Sequence, residues 1–184
     1  MIKLKIVLIG PSKSGKSTIA NFLSEAIDYT NTEYRPTPGV RILEFELKNN
    51  ESSQTEIELW DCSGEMRYES YWPVFLWNAH GVILIYNPED MEQSSQLEKY
   101  YEQFVTNSYV PKKNTLIMAH TKKTGFKASM PDFGDEMSKT TYERVNIFED
   151  SDKLRNVFEN YISMVVTDAV DFDQDDLSHF SMSL

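Results

Sequence analysis

At 184 residues with 40% apolar side chains, the chain suffices for one domain with a full core. Its formal net charge of −11, with no local block of lysine or arginine, disfavours polyphosphate backbones and anionic lipid surfaces, so nucleic acid is not an expected partner. One cysteine, Cys62, leaves no internal disulfide, which fits a reducing intracellular compartment, and no apolar run approaches the ~20 residues of a membrane span.

Residues 2–9 pass from lysine alternation to a continuous apolar run, which predicts a central parallel strand rather than a signal peptide. Gly10-Pro11-Ser12-Lys13-Ser14-Gly15-Lys16-Ser17 follows and fits the pattern G-x-x-x-x-G-K-[ST]. Between a strand and a helix, such a loop aims backbone N–H groups and the positive helix end at phosphate oxygens. Lys16 adds a point charge and Ser17 an oxygen for Mg²⁺. Ile19, Ala20, Phe22, Leu23, Ala26 and Ile27 recur at helical spacing and predict an amphipathic helix over residues 17–27.

Residues 40–47 and 55–60 read as the strands of an antiparallel hairpin, joined by a polar turn at 48–53. Thr37 lies between the first helix and this hairpin, where a mobile loop can bring its hydroxyl onto a metal. Asp61, at the end of the second hairpin strand, offers a carboxylate facing the phosphate loop. Tyr68, Tyr71, Trp72, Phe75, Leu76 and Trp77 form an aromatic-rich cluster expected to divide between core and partner surface. Residues 82–86 and 115–119 read as buried parallel strands, separated by a helix through Leu97, Tyr100, Tyr101, Phe104 and Val105. His80 and His120, at strand ends, are expected to be packed or hydrogen-bonded, and nothing marks Cys62 as a reactive thiolate.

Residues 123–142 read as a surface excursion with about one helical turn, residues 144–148 as a short strand, and the chain from Ser151 as a final helix. The expected fold is α/β: a mostly parallel sheet with one antiparallel hairpin strand, helices on both faces, and ligands at the carboxyl ends of the strands. Residues 1–167 form the expected nucleotide-binding domain. From Asp168 an acidic tail reads as a flexible solvated end, or alternatively as a contact for a basic partner surface.

Together the phosphate loop, Tyr34-x-Pro36-Thr37-x-Gly39-Val40 and Trp60-Asp61-x-x-Gly64 resemble the Ras superfamily of small GTPases, a P-loop NTPase fold, and especially its Rab branch. The resemblance covers residues 1 to about 167. It implies GTP or GDP with Mg²⁺, held by Gly10, Ser12, Lys13, Ser14, Gly15, Lys16, Ser17 and Thr18 at the phosphates. It further implies Ser17, Thr37 and Asp61 at the metal, Gly64 at the γ-phosphate, and Thr121 and Lys122 at the base. Residues 40–45, 59–62, 79–82 and Ala119-His120 look more narrowly like the Rab-like subunits of the intraflagellar transport B complex. That implies protein partners, coiled-coil subunits of the complex, and a place in the cytoplasm and the cilium or flagellum. Position 2 is Ile2 rather than glycine and Phe180 to Leu184 contain no cysteine, so no direct membrane anchor is expected.

Two positions depart from the pattern. Glu65 stands where most relatives carry the glutamine that orients the attacking water. A carboxylate there repels the γ-phosphate and only accepts hydrogen bonds, so hydrolysis is expected to be slow or absent and no catalytic residue is assigned. Thr121-Lys122-Lys123-Thr124 replaces the family's Asn-Lys-x-Asp, and Phe148-Glu149-Asp150-Ser151 its Ser-Ala-Lys, which removes the charge-assisted bidentate contact to guanine. The leading reading is an atypical GTPase acting as a subunit or regulator of an assembly. The alternatives are an active switch stimulated by a partner, and a P-loop nucleotide kinase, whose arginine-rich lid residues 123–142 do not supply.

Overall fold

The structure, a computed structural model, describes residues 2–25, 34–48, 54–126 and 131–181, and only the backbone of Lys48 and residues 171–181. Among the described residues six strands form one sheet: β1 (Ile2–Ile9), β2 (Val40–Lys48), β3 (Gln54–Cys62), β4 (Gly81–Tyr86), β5 (Thr115–His120) and β6 (Thr141–Val145). Their spatial order is β2-β3-β1-β4-β5-β6. Among these described strands only the β2/β3 pair is antiparallel; the other four neighbouring pairs run parallel. The expected α/β architecture with one antiparallel hairpin strand is therefore the observed one.

Period-two alternation in the central strands explains why helices cover both faces. Leu4, Ile6 and Leu8 of β1 point into one core with Ile83, Ile85, Leu116 and Met118. That core is closed by α1 (Lys16–Leu23) and by Leu154, Phe158, Ile162 and Val165 of α4 (Ser151–Ser181). Val7 and Ile9 point the other way, to α2 (Trp72–Leu76) and α3 (Met91–Tyr101), which runs on into a π-helical turn at Glu102–Thr106. Side chains such as Ile6, Leu8 and Ile83 are fully buried, each contributing about 1.5–3 kcal/mol. The earlier strands lie on one side of β1 and β4, β5 and β6 on the other, so the loop after β1 opens where the winding reverses.

Several boundaries differ from those read in the sequence. Helix α1 ends at Leu23, and Ala26 and Ile27 lie outside the described residues. The last strand is Thr141–Val145 rather than 144–148, because the Asn146 side chain accepts from the Phe148 N–H at 3.0 Å and turns the chain. The 123–142 stretch is not wholly superficial: Phe133 and Met137 are buried beside Tyr86 and Tyr142. Its helical turn is the 3₁₀ segment Met137–Lys139, and residues 127–130 lie outside the described residues.

Helical backbone also continues to Ser181, past the point where the sequence suggested a tail. Asp168 is anchored, accepting from Asn114 Nδ2 at 2.8 Å and pairing with Lys113. Among the described residues no helix is long and apolar enough to cross a membrane.

Candidate functional site

The loop from Gly10 to Ser17 joins β1 to α1, and its shape depends on two glycines. Gly10 has φ 144° and Gly15 φ 96°, a region side-chain-bearing residues rarely adopt. A Cβ on Gly10 would overlap the Ile85 carbonyl oxygen, and one on Gly15 would overlap the His120 ring. Gly15 is the N-cap of α1 and supplies no side-chain cap, and the first turn holds no acidic residue. The first-turn N–H groups of Lys16, Ser17 and Thr18 are thus left for an anion, in the field of the helix dipole.

Lys16 is buried, and its ammonium donates to the carbonyls of Gly10 (2.8 Å) and Pro11 (2.7 Å) and to Ser14 Oγ (3.3 Å). Burial lowers its pKa from 10.5 to about 8, with the Asp61 charge opposing that shift. Lys13 reaches over the Tyr34 ring, 5.7 Å from its centroid, and so links the phosphate loop to the segment that carries Thr37.

Ser17, Thr37 and Asp61 come together. Ser17 Oγ and Thr37 Oγ1 are 2.9 Å apart, and Thr37 Oγ1 donates to Asp61 Oδ2 at 3.5 Å. Asp61 is fully buried, and its Oδ1 has no hydrogen-bond partner. Burial raises the Asp61 carboxyl above the usual aspartate range, opposed by Ser17, Arg41 and Lys16. An orphaned carboxylate oxygen beside two hydroxyls is a donor set made only of oxygen, which suits Mg²⁺. Among the described residues no group of three or more His, Cys, Asp or Glu side chains could hold a metal by itself, so such an ion would also need phosphate oxygens.

Gly64 closes the far side of the loop. A Cβ there would overlap the Gly10 carbonyl oxygen and fall 2.6 Å from Ser12 N, and Tyr100 of α3 fixes the segment by donating to the Gly64 carbonyl at 2.8 Å. A cavity of about 560 Å³ opens beside this contact, lined by residues that include Ser12, Lys13, Gly64, Glu65 and Arg67.

Residues 5–125 match the family described as Ras of Complex, Roc, domain of DAPkinase. The Intraflagellar transport protein 22 homolog of Danio rerio is 36% identical over 171 residues, which cover 90% of this chain and 91% of that protein. The homolog of Homo sapiens is 35% identical over the same shares. The chain belongs to the intraflagellar transport protein 22 family of Rab-like small GTPases. Solved structures agree: GDP-bound T. brucei IFT22 superposes with a TM-score of 0.71 at 26% identity, covering 91% of this chain and 98% of that one. The GTP-bound T. brucei IFT22/74/81 structure gives 0.72 at 28% identity, covering 92% and 98%.

Against that family background the two departures acquire geometry. Glu65 forms an ion pair with Arg67 at 2.6 Å, so the carboxylate in the glutamine position carries its own counter-charge. Thr121 lies at the end of β5, where its hydroxyl donates to Glu89 and accepts from the Lys123 N–H at 3.1 Å. Lys123 also pairs with Glu89 at 3.0 Å. Lys122 is exposed. His120 links this end to the phosphate loop, with Nδ1 3.2 Å from the Ser14 carbonyl, while His80 Nδ1 accepts from the Lys5 N–H at 3.0 Å. Both histidines are structural in the sense expected. Cys62 is buried and its thiol is pushed up by desolvation, which removes thiolate character.

Of the aromatic cluster in this family member, Trp72 and Phe75 are buried while Tyr71 and Trp77 are exposed. Three site residues were missed in the sequence: Arg41, which contacts Asp61; Gln93, whose amide donates to the Ser12 carbonyl at 3.1 Å; and Tyr100. Gln93 and Tyr100 lie seven apart on one helix, which places both on the same face, and that spacing was the available signal.

Proposed function

We propose that this chain binds GTP or GDP together with Mg²⁺ and serves as a nucleotide-loaded subunit of the intraflagellar transport assembly, with slow or absent intrinsic hydrolysis. The observation that carries this reading is the convergence of a buried Lys16 ammonium, an uncapped helix start and the Ser17–Thr37–Asp61 oxygen cluster on one point. The phosphates would lie along Gly10 to Thr18, with Gly64 beside the third phosphate. Ser17, Thr37 and Asp61 would hold Mg²⁺, which would offset phosphate charge. The base lies toward Thr121 and Lys122, where Glu89 and Lys123 form the polar surroundings.

Support for guanine comes from the T. brucei relatives solved with GDP and with GTP, and support for the assembly from the one solved as IFT22/74/81. The partners are coiled-coil subunits of the intraflagellar transport B complex, and the setting is the cytoplasm and the cilium or flagellum. The test is titration of nucleotide-stripped protein with GTP, GDP and ATP, with and without Mg²⁺, alongside Lys16→Ala and Ser17→Asn. Selective guanine binding that both variants weaken supports the reading. Equal ATP binding, or unchanged affinity in both variants, refutes it.

A further inference from the structure

Arg41 lies on β2 directly opposite Asp61 on β3, and its Nη2 sits 3.1 Å from Asp61 Oδ2. That oxygen is the one that also takes the Thr37 hydroxyl, while Oδ1 has no partner. A monovalent cation therefore pairs with the carboxylate whose other oxygen the metal reading uses. We propose that Arg41 is a built-in counter-cation that competes with Mg²⁺ for Asp61, so that this chain retains its nucleotide with little dependence on the divalent ion. The inference rests on the nucleotide and Mg²⁺ reading above.

Three observations point this way. The two partners differ in exposure: Asp61 is fully buried, whereas the Arg41 side chain is 41% exposed. The guanidinium's described contact is with Asp61: its Nε is buried without a hydrogen-bond partner, and the next pair on the same face of the hairpin, Leu43 with Leu59, is apolar. An unpaired buried donor is unfavourable unless another contact of the same group offsets it. Finally, Lys16 already acts on Asp61, so one carboxylate faces two cations before any metal arrives. A divalent ion entering such a site meets repulsion and must displace Arg41, or share Asp61 with it. With Arg41 offsetting the Asp61 charge, that carboxylate repels a phosphate less whether or not the ion is present.

The experiment loads the full chain with a fluorescent GDP, chases with excess unlabelled GDP, and compares release with Mg²⁺ against release with EDTA, for the wild type, Arg41→Gln and Arg41→Lys. EDTA is expected to speed release by about threefold or less in the wild type and in Arg41→Lys, and by about thirtyfold or more in Arg41→Gln, a difference of the size charge pairs at such sites produce. The Mg²⁺ concentration needed for half-maximal retention should fall about tenfold in Arg41→Gln.

Arg41→Met, which keeps the bulk without the charge, replaces Arg41→Gln should the latter not fold. EDTA ratios that agree between wild type and uncharged variant overturn the proposal, as does an Arg41→Lys ratio that matches Arg41→Gln. Failure of the wild type to bind the probe at all overturns the functional reading and this inference with it; binding with unchanged ratios overturns this inference alone.

Discussion

The backbone of Gly64 packs directly on that of Gly10, so that a side chain at position 64 would overlap the Gly10 carbonyl oxygen and approach Ser12 N to 2.6 Å. Gly64→Ala therefore forces the segment after β3 away from the phosphate loop. GTP affinity is expected to fall about tenfold or more, with GDP affinity changed about threefold or less, because only the third phosphate reaches this contact. Parallel nucleotide titrations give the ratio; an equal loss for both nucleotides would show the contact to be purely structural.

Glu65 is paired with Arg67 at 2.6 Å and accepts hydrogen bonds only. Glu65→Gln restores a group that both donates and accepts, and removes the negative charge next to the γ-phosphate. Single-turnover hydrolysis of bound GTP should rise about tenfold or more over the wild type, since water-orienting glutamines act in this way. No change would mean that the attacking water is not placed near residue 65.

His120 is buried beside the phosphate loop, and burial lowers its pKa below the ordinary 6.5, with Lys122 acting in the same direction and the Ser14 carbonyl and Glu89 opposing. Below pH 6.5 the unfolded chain takes up a proton that the folded chain resists, so stability falls as pH drops, by at most about 1.4 kcal/mol per pH unit. His120→Asn keeps a donor for the Ser14 carbonyl but does not titrate. Between about pH 7.5 and pH 5.5 the melting temperature should therefore drop further in the wild type than in the variant.

Tyr71, Val74 and Trp77 are exposed by 57%, 60% and 74% along α2 and its flanks, although Trp72 and Phe75 between them are buried. The Trp77 carbonyl, not its ring, takes the Lys5 ammonium. Trp77→Ser and Tyr71→Ser should shift stability by less than about 0.5 kcal/mol in urea unfolding. On the proposed assembly reading, affinity for counterparts of the IFT74 and IFT81 that accompany T. brucei IFT22 should fall about thirtyfold, as expected when aromatic anchors are lost. Unimpaired co-purification would place the interface elsewhere.

Much of this arrangement was legible because local chemistry dictated it. The run through Ile9, the glycines at 10 and 15, and Lys16 and Ser17 carry strand, turn and helix start in one continuous phrase. Asp61 followed from its distance after that phrase, and Thr37 from the family resemblance. Arg41 was not legible, since its pairing with Asp61 depends on hairpin register. A slip of one residue would set it opposite Trp60 or Cys62 and turn it to the other face. The burial of Phe133 and Met137 was hidden by the polar residues around them. The helix beyond Asp168 was hidden by aspartates, whose weak helix propensity is overridden near the start of that stretch by the Asn114 and Lys113 contacts.

Lys16 has already lost its water to three oxygens of its own loop. The dehydration of that ammonium thus belongs to the folding equilibrium and not to ligand capture. A phosphate bound there stabilises the fold, by an amount that grows with ligand concentration as RT ln(1 + [L]/Kd). The protein's resistance to heat is on this account a gauge of how much nucleotide surrounds it.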